Sequence, residues 1–108
     1  MAYFPFSQQT PITMFDTLTR RNLAHGGKLM MIHVEIPSGG LAPAHSHPHE
    51  QLTYLVEGRA EVRVGEETYH LSPGDSVYVA PNREHEVRAL EDCQVIDAFT
   101  PQREDLLQ

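Results

Sequence analysis

The stretch His45-Ser46-His47-Pro48-His49-Glu50-Gln51, read with Pro81-Asn82-Arg83-Glu84-His85 further on, decides what kind of molecule this chain makes. Side chains alternate across an extended strand, so His45 and His47 point to the same side. Gln51 is four residues further on and keeps that parity. Imidazole suits first-row transition metals, and an amide oxygen can complete such a shell. His45, His47, Gln51 and His85 are therefore candidate ligands of one divalent transition metal. Zinc, nickel, iron, manganese and copper all fit this ligand set, which does not select among them. His49 shares the parity and is a candidate fifth ligand, but it sits between Pro48 and Glu50, where the chain can bend.

The rest of the sequence bounds the setting. A chain of 108 residues suffices for one domain with one core, so residues 1–108 are expected to form a single domain. No apolar run approaches the roughly 20 residues of a membrane helix. The start, Met1-Ala2-Tyr3-Phe4-Pro5-Phe6, does not read as a signal peptide. One cysteine, Cys93, cannot make an internal disulfide, which fits a cytoplasmic setting. The formal net charge is -7 without a basic stripe, which argues against nucleic acid and anionic membranes as partners. A small anion can still bind, because a metal and one or two arginines set the local field.

Turn signals recur along the chain at Gly26-Gly27, Pro37-Ser38-Gly39-Gly40, Glu57-Gly58, Gly65-Glu66, Ser72-Pro73-Gly74-Asp75, Pro81-Asn82 and Glu91-Asp92. Between them lie short β-like runs. Met30, Ile32, Val34 and Ile36 alternate with Leu29, Met31, His33 and Glu35, and Ala60, Val62 and Val64 alternate with charged residues. Further runs cover 12–20, 76–80 and 93–100, and only 102–107 looks weakly helical. Many short strands with regular punctuation predict an all-β sandwich or barrel. Tyr3, Phe4 and Phe6 precede the first strand and need burial, either against a second subunit or against their own barrel; a homodimer is expected.

The motifs resemble those of the cupin family. The first cupin pattern is met by Gly39, His45-Ser46-His47, Gln51 and Gly58, and the second is opened by Gly74-Asp75 and closed by His85. Ala80 stands where a proline is usual. Asn82 stands in place of glycine, and asparagine is the next-best residue for a left-handed turn. The resemblance covers about residues 28–100. It implies an antiparallel double-stranded β-helix, or jelly-roll barrel, with the metal in its mouth and the regions 45–56 and 77–88 as neighbouring strands. Three neutral imidazoles and a neutral amide would leave the cation's charge uncompensated, which favours an anionic, oxygen-bearing ligand.

Within the cupins, Asp97-Ala98-Phe99-Thr100-Pro101-Gln102-Arg103 resembles the C-terminal signature of KdgF-type pectin degradation proteins, as do Gly27-Lys28-Leu29-Met30 and the histidine run. That resemblance implies a metal-dependent enzyme, of isomerase or tautomerase type, that ketonises 4,5-unsaturated monouronates. Asp97, Phe99 and Arg103 would be its catalytic residues and a small sugar-acid-like anion its substrate. The residues suit the chemistry. A carboxylate in an apolar strand is costly unless it is paired or bound, so Asp97 faces either the metal cavity or the outer wet face. In the cavity its pKa would rise and it could shuttle a proton. Arg103 can grip a carboxylate with two parallel bonds or pair with Glu104 or Asp105. Phe99 supplies an apolar wall. Arg20, Arg21 and Lys28 read as solvated charges with a second-tier claim to anion contact, and Tyr78 as a residue of the cavity or of the rim. Other readings are a different metal cupin enzyme (dioxygenase, isomerase or cyclase) and a non-catalytic cupin that binds metal and a small ligand.

Overall fold

The computed structural model describes residues 2–107. Ten strands follow in order: β1 (Ile12–Met14), β2 (Leu18–Gly26), β3 (Leu29–Ile36), β4 (Leu41–His45), β5 (Glu50–Glu57), β6 (Ala60–Val64), β7 (Glu67–Leu71), β8 (Ser76–Val79), β9 (His85–Ala89) and β10 (Cys93–Thr100). They form a six-stranded sheet, β1-β2-β3-β10-β5-β8, and a four-stranded sheet, β4-β9-β6-β7. All pairings are antiparallel. This is the all-β jelly roll that the motifs imply. Among the described residues the helical content is two single turns of 3-10 helix, Phe6–Gln8 and Glu104–Leu106.

The period-2 pattern works as read. On β3, Met30, Ile32, Val34 and Ile36 are buried, and on β6 Ala60, Val62 and Val64 face them from the other sheet. Each fully buried aliphatic side chain contributes about 1.5–3 kcal/mol over an exposed one. Leu55, Val79, Val95 and Phe99 complete the core. The turn chemistry also holds. Asn82 takes φ 64, the left-handed geometry for which glycine is usual at this motif position. Its N–H donates to the His47 carbonyl at 2.8 Å, so one motif loop is tied to the other. Gly58 has φ 91, and a Cβ there would collide with the Asp92 carbonyl.

Two expectations need correction. The run 12–20 is not one strand: Phe15 and Asp16 adopt φ 49 and 69, and the chain doubles back between β1 and β2. Regions 45–56 and 77–88 are neighbours as expected, but in two sheets: β5 pairs with β8 in one and β4 with β9 in the other. The parity of His45, His47 and Gln51 is therefore not that of one strand, since residues 46–49 carry the chain between sheets. Phe4 and Phe6 contact their own barrel, while Tyr3 is 75% and Phe6 47% exposed. Phe4 packs at 5.0 Å on His25, Phe6 meets His33 edge-on at 5.0 Å, and Arg21 lies over Phe6.

Candidate metal centre

His45 is the last residue of β4 and His85 the first of β9, and the two are direct partners in the four-stranded sheet. Gln51 enters from β5 in the opposite sheet, and His47 sits in the link between them. The possible ligand atoms of His45, His47 and His85 lie within 4.8 Å of one another. Ring centroids are 4.3 Å apart for His45 and His85 and 5.0 Å for His47 and His85. His49 does not join the cluster; its ring packs edge-on against His47.

Each of the three rings is oriented by a backbone carbonyl two residues away. Nδ1 of His45 donates to Pro43 O at 2.8 Å, that of His47 to His49 O at 3.2 Å, and that of His85 to Arg83 O at 2.9 Å. A carbonyl only accepts, so Nδ1 carries the proton in all three and Nε2 is left with its lone pair. Burial pushes the pKa of His47 down and that of His85 down to about 4, helped by the positive charge of Arg103. Both rings are thus neutral at pH 7. Nε2 of His85 is buried without a hydrogen-bond partner. Nε2 of His47 lies 2.9 Å from Oε1 of Gln51, two acceptors facing each other. A cation relieves both faults, so these residues fit a transition metal.

The ligands open into a cavity of about 270 Å³ that His45, Gln51 and His85 share with Asp97, Phe99 and Arg103. Its deeper wall is apolar, with Ile32, Val34 and Val95 among the lining residues. Asp97 faces inward, and the hydroxyl of Thr53 donates to its Oδ1 at 2.7 Å. Burial pushes the Asp97 carboxyl up to about 6, against the pull of Thr53, Gln51 and Arg103. Phe99 is 3 % exposed and meets His47 edge-on at 5.8 Å. Arg103 stacks over Phe99, its guanidinium 5.2 Å from the ring. The fork of Arg103 is held by Asp105 at 3.0 and 2.8 Å, so both readings of this arginine apply: it lines the cavity and it forms an ion pair.

Arg20 departs from the sequence reading. It is 6 % exposed, and with Asn22 it donates to Leu106 O at 2.9 and 2.8 Å. These bonds, with Gln102 donating to Gly27 O, strap the C-terminal segment across β2 and so place Arg103. Arg21 pairs with Glu35 and Lys28 is exposed. Tyr78 does not line the cavity; it lies on the outer face of the six-stranded sheet and donates to Glu50. Thr53 was missed. For Thr53 there was a signal: it is polar, shares the parity of Gln51, and stands in a strand whose other inward residue, Leu55, is apolar.

Comparisons with known proteins agree with this architecture. The family profile of the cupin domain matches residues 32–99. The pectin degradation protein KdgF of Dickeya dadantii (strain 3937) is 34% identical over 94 residues, covering 85% of this chain and 86% of that protein. The structure of KdgF from Halomonas sp. superposes with TM-score 0.92 at 32% identity, covering 98% of each chain. An RmlC-like cupin from Shewanella frigidimarina NCIMB 400 superposes with TM-score 0.92 at 30% identity, covering 96% of this chain and 94% of that one. The barrel, its paired histidine motifs and these matches make the chain a member of the cupin family and a homologue of KdgF.

Proposed function

We propose that the protein is a metal-dependent cupin enzyme that converts cyclic 4,5-unsaturated monouronates into their linear ketonised form. The observation that carries this reading is a single cavity lined by His45, His85, Gln51, a raised-pKa Asp97 and Arg103 beside the Phe99 wall, with His47 clustered against the two histidines. Likeness to pectin degradation proteins supports the substrate class.

A divalent metal on His45, His47, Gln51 and His85 would act as Lewis acid toward the substrate oxygens. Arg103 binds the substrate carboxylate, which takes the place of Asp105 on the guanidinium fork. Phe99 flattens one wall against the ring. Asp97 accepts the proton of the anomeric hydroxyl. The bond from the anomeric carbon to the ring oxygen breaks, the ring oxygen becomes an enolate, and Asp97 returns the proton to the enolate carbon. Atoms and charge balance, and the product is an isomer. A side chain with a pKa near 6 suits both halves of that transfer.

Loss of ultraviolet absorbance from the conjugated uronate measures the reaction. Acceleration by zinc-, nickel- or manganese-loaded protein is expected; a rate no faster than the spontaneous one with every metal would sink the reading.

The working assembly in this reading is a homodimer joined through the outer face of the six-stranded sheet. Leu52, Tyr54 and Tyr78 are 54%, 46% and 53% exposed there, and Met31 and Ile96 lie beside them in register. Such a patch needs cover, and a two-fold copy of itself has matching chemistry. The buried, unbridged Cys93 suits the reducing cytoplasm.

A further inference from the structure

We propose that Thr53 is a positioning residue of the metal centre, its hydroxyl dictating which way the Gln51 amide faces. The inference rests on the reading of Gln51 as a metal ligand and adds a residue that neither motif specifies.

Thr53 is 2 % exposed, points inward from β5, and is the register partner of Asp97 on β10. Its Oγ1 lies 2.7 Å from Asp97 Oδ1 and 2.9 Å from Gln51 Nε2. A hydroxyl has one hydrogen to give. A carboxylate can only accept, so that hydrogen goes to Asp97. What remains toward Gln51 is the lone-pair side of the oxygen, and only the amide NH2 can bond to it. The amide oxygen is thereby turned to the opposite side, 2.9 Å from Nε2 of His47. The chain of contacts from Asp97 through Thr53 and Gln51 to His47 has one direction, and that direction presents an oxygen rather than a nitrogen to the histidine cluster.

The two ends of a glutamine amide are nearly the same shape, so the surrounding hydrogen bonds choose between them. Without the Thr53 hydroxyl only the pull of Asp97 still holds the NH2 on that side, and the lone pair of His47 competes for it. The NH2 then has a free acceptor in Nε2 of His47, the lone pair that a metal needs. When the amide turns, one lost hydroxyl disarms two ligands: the amide offers no lone pair, and the imidazole is capped by a donor. A residue that only fills space would lack this property, and valine, which matches threonine in shape, would replace it without effect.

The test compares Thr53→Val and Thr53→Ala, both without the hydroxyl, with Thr53→Ser, which keeps it. Zinc affinity is measured by competition with a chromophoric chelator. The Gln51 side-chain amide is followed by NMR in the metal-free protein. Loss of zinc affinity of roughly 10- to 100-fold is expected for Val and Ala, with Ser near the parent protein. The Gln51 NH2 protons should show contacts to residue 53 in the parent and in Ser, and to the His47 ring in Val and Ala. Parental zinc affinity together with an unturned amide in Thr53→Val would overturn the inference. If the parent itself binds no zinc, nickel or manganese, the metal reading falls, while the amide contacts still decide the role of Thr53.

Discussion

Along β5 and β10 the inner and outer faces of one sheet exchange their usual chemistry. Toward the barrel mouth the inward residues are the polar Gln51, Thr53 and Asp97 with Phe99 beside them, and the outward ones are Leu52, Tyr54, Ile96 and Ala98. Deeper in the barrel the ordinary order returns, with Leu55 and Val95 inward. The four-stranded sheet inverts only on its inner side at the mouth, where His45 and His85 enter the cavity, and its outer face stays polar. Its outer rows are Glu61-His70-Arg88 and Arg63-Thr68-Glu86, linked by the Arg63–Glu86 ion pair and a His70–Glu61 contact that solvent keeps weak. A buried polar group left unpaired costs about 1–3 kcal/mol, so the inner inversion persists only where hydrogen bonds and a ligand compensate it. An exposed apolar row costs solubility unless something covers it. The inner inversion marks chemistry, and the outer one marks a docking face.

That contrast can be broken from the inside first. His85→Ala removes a ligand whose Nε2 has no other partner. Complete loss of the metal-dependent rate and sub-stoichiometric metal by elemental analysis are expected; full metal content would show that the inner polar row is not a metal site. Asp97→Asn should lower the uronate rate by about 10²- to 10⁴-fold while metal content stays unchanged. A fall in metal content of the same size would assign Asp97 to holding Thr53 and Gln51 instead.

The outer face is tested by Leu52→Lys combined with Tyr54→Lys. Light scattering should show a dimer becoming a monomer, with zinc affinity intact because the inward residues of β5 are untouched. A parent protein that is already monomeric at micromolar concentration would remove the docking reading.

The smallest effect sharpens the comparison through pH. Asp97 has a folded pKa raised to about 6 from an ordinary 3.8. An acid whose pKa is raised on folding destabilises the fold where it is ionised, and that penalty fades as pH falls through 6. His85 works the other way: its pKa is lowered to about 4, so the folded state loses stability as pH falls from 6.5 toward 4. Metal-free Asp97→Asn should therefore be more stable than the parent in urea at pH 7.5, and the gap should narrow at pH 5. A gap independent of pH would mean that the carboxylate is not desolvated.

Several of these features were legible before any coordinates. The four candidate ligands could be picked because three lie within seven residues and the fourth closes a motif of fixed spacing. Asn82 could be read because a left-handed turn admits few residues. The strands over 29–36, 60–64 and 93–100 followed from alternation with clear turn signals. The turn at Phe15 and Asp16 escaped, because neither residue announces a positive φ. Arg20 escaped because burial of a guanidinium depends on a carbonyl 86 residues away in sequence. Tyr78 escaped because alternation says which residues share a face and not which face is inside.

Local rules therefore settle what is local: strand periodicity, turn geometry, and the presence of a metal-binding set of side chains. They follow from covalent geometry and from the lone pairs of particular residues, which travel with the chain. Three things were settled by the fold alone. The crossing from β4 to β5 brings His45 and Gln51 to one cavity from opposite sheets. The register of β5 on β10 sets Thr53 against Asp97 and so gives the Gln51 amide its direction. The C-terminal strap, held by Arg20 and Asn22, lays Arg103 on Phe99. Each depends on contacts between residues far apart in the chain, where burial and hydrogen-bond direction exist only once the partners have met.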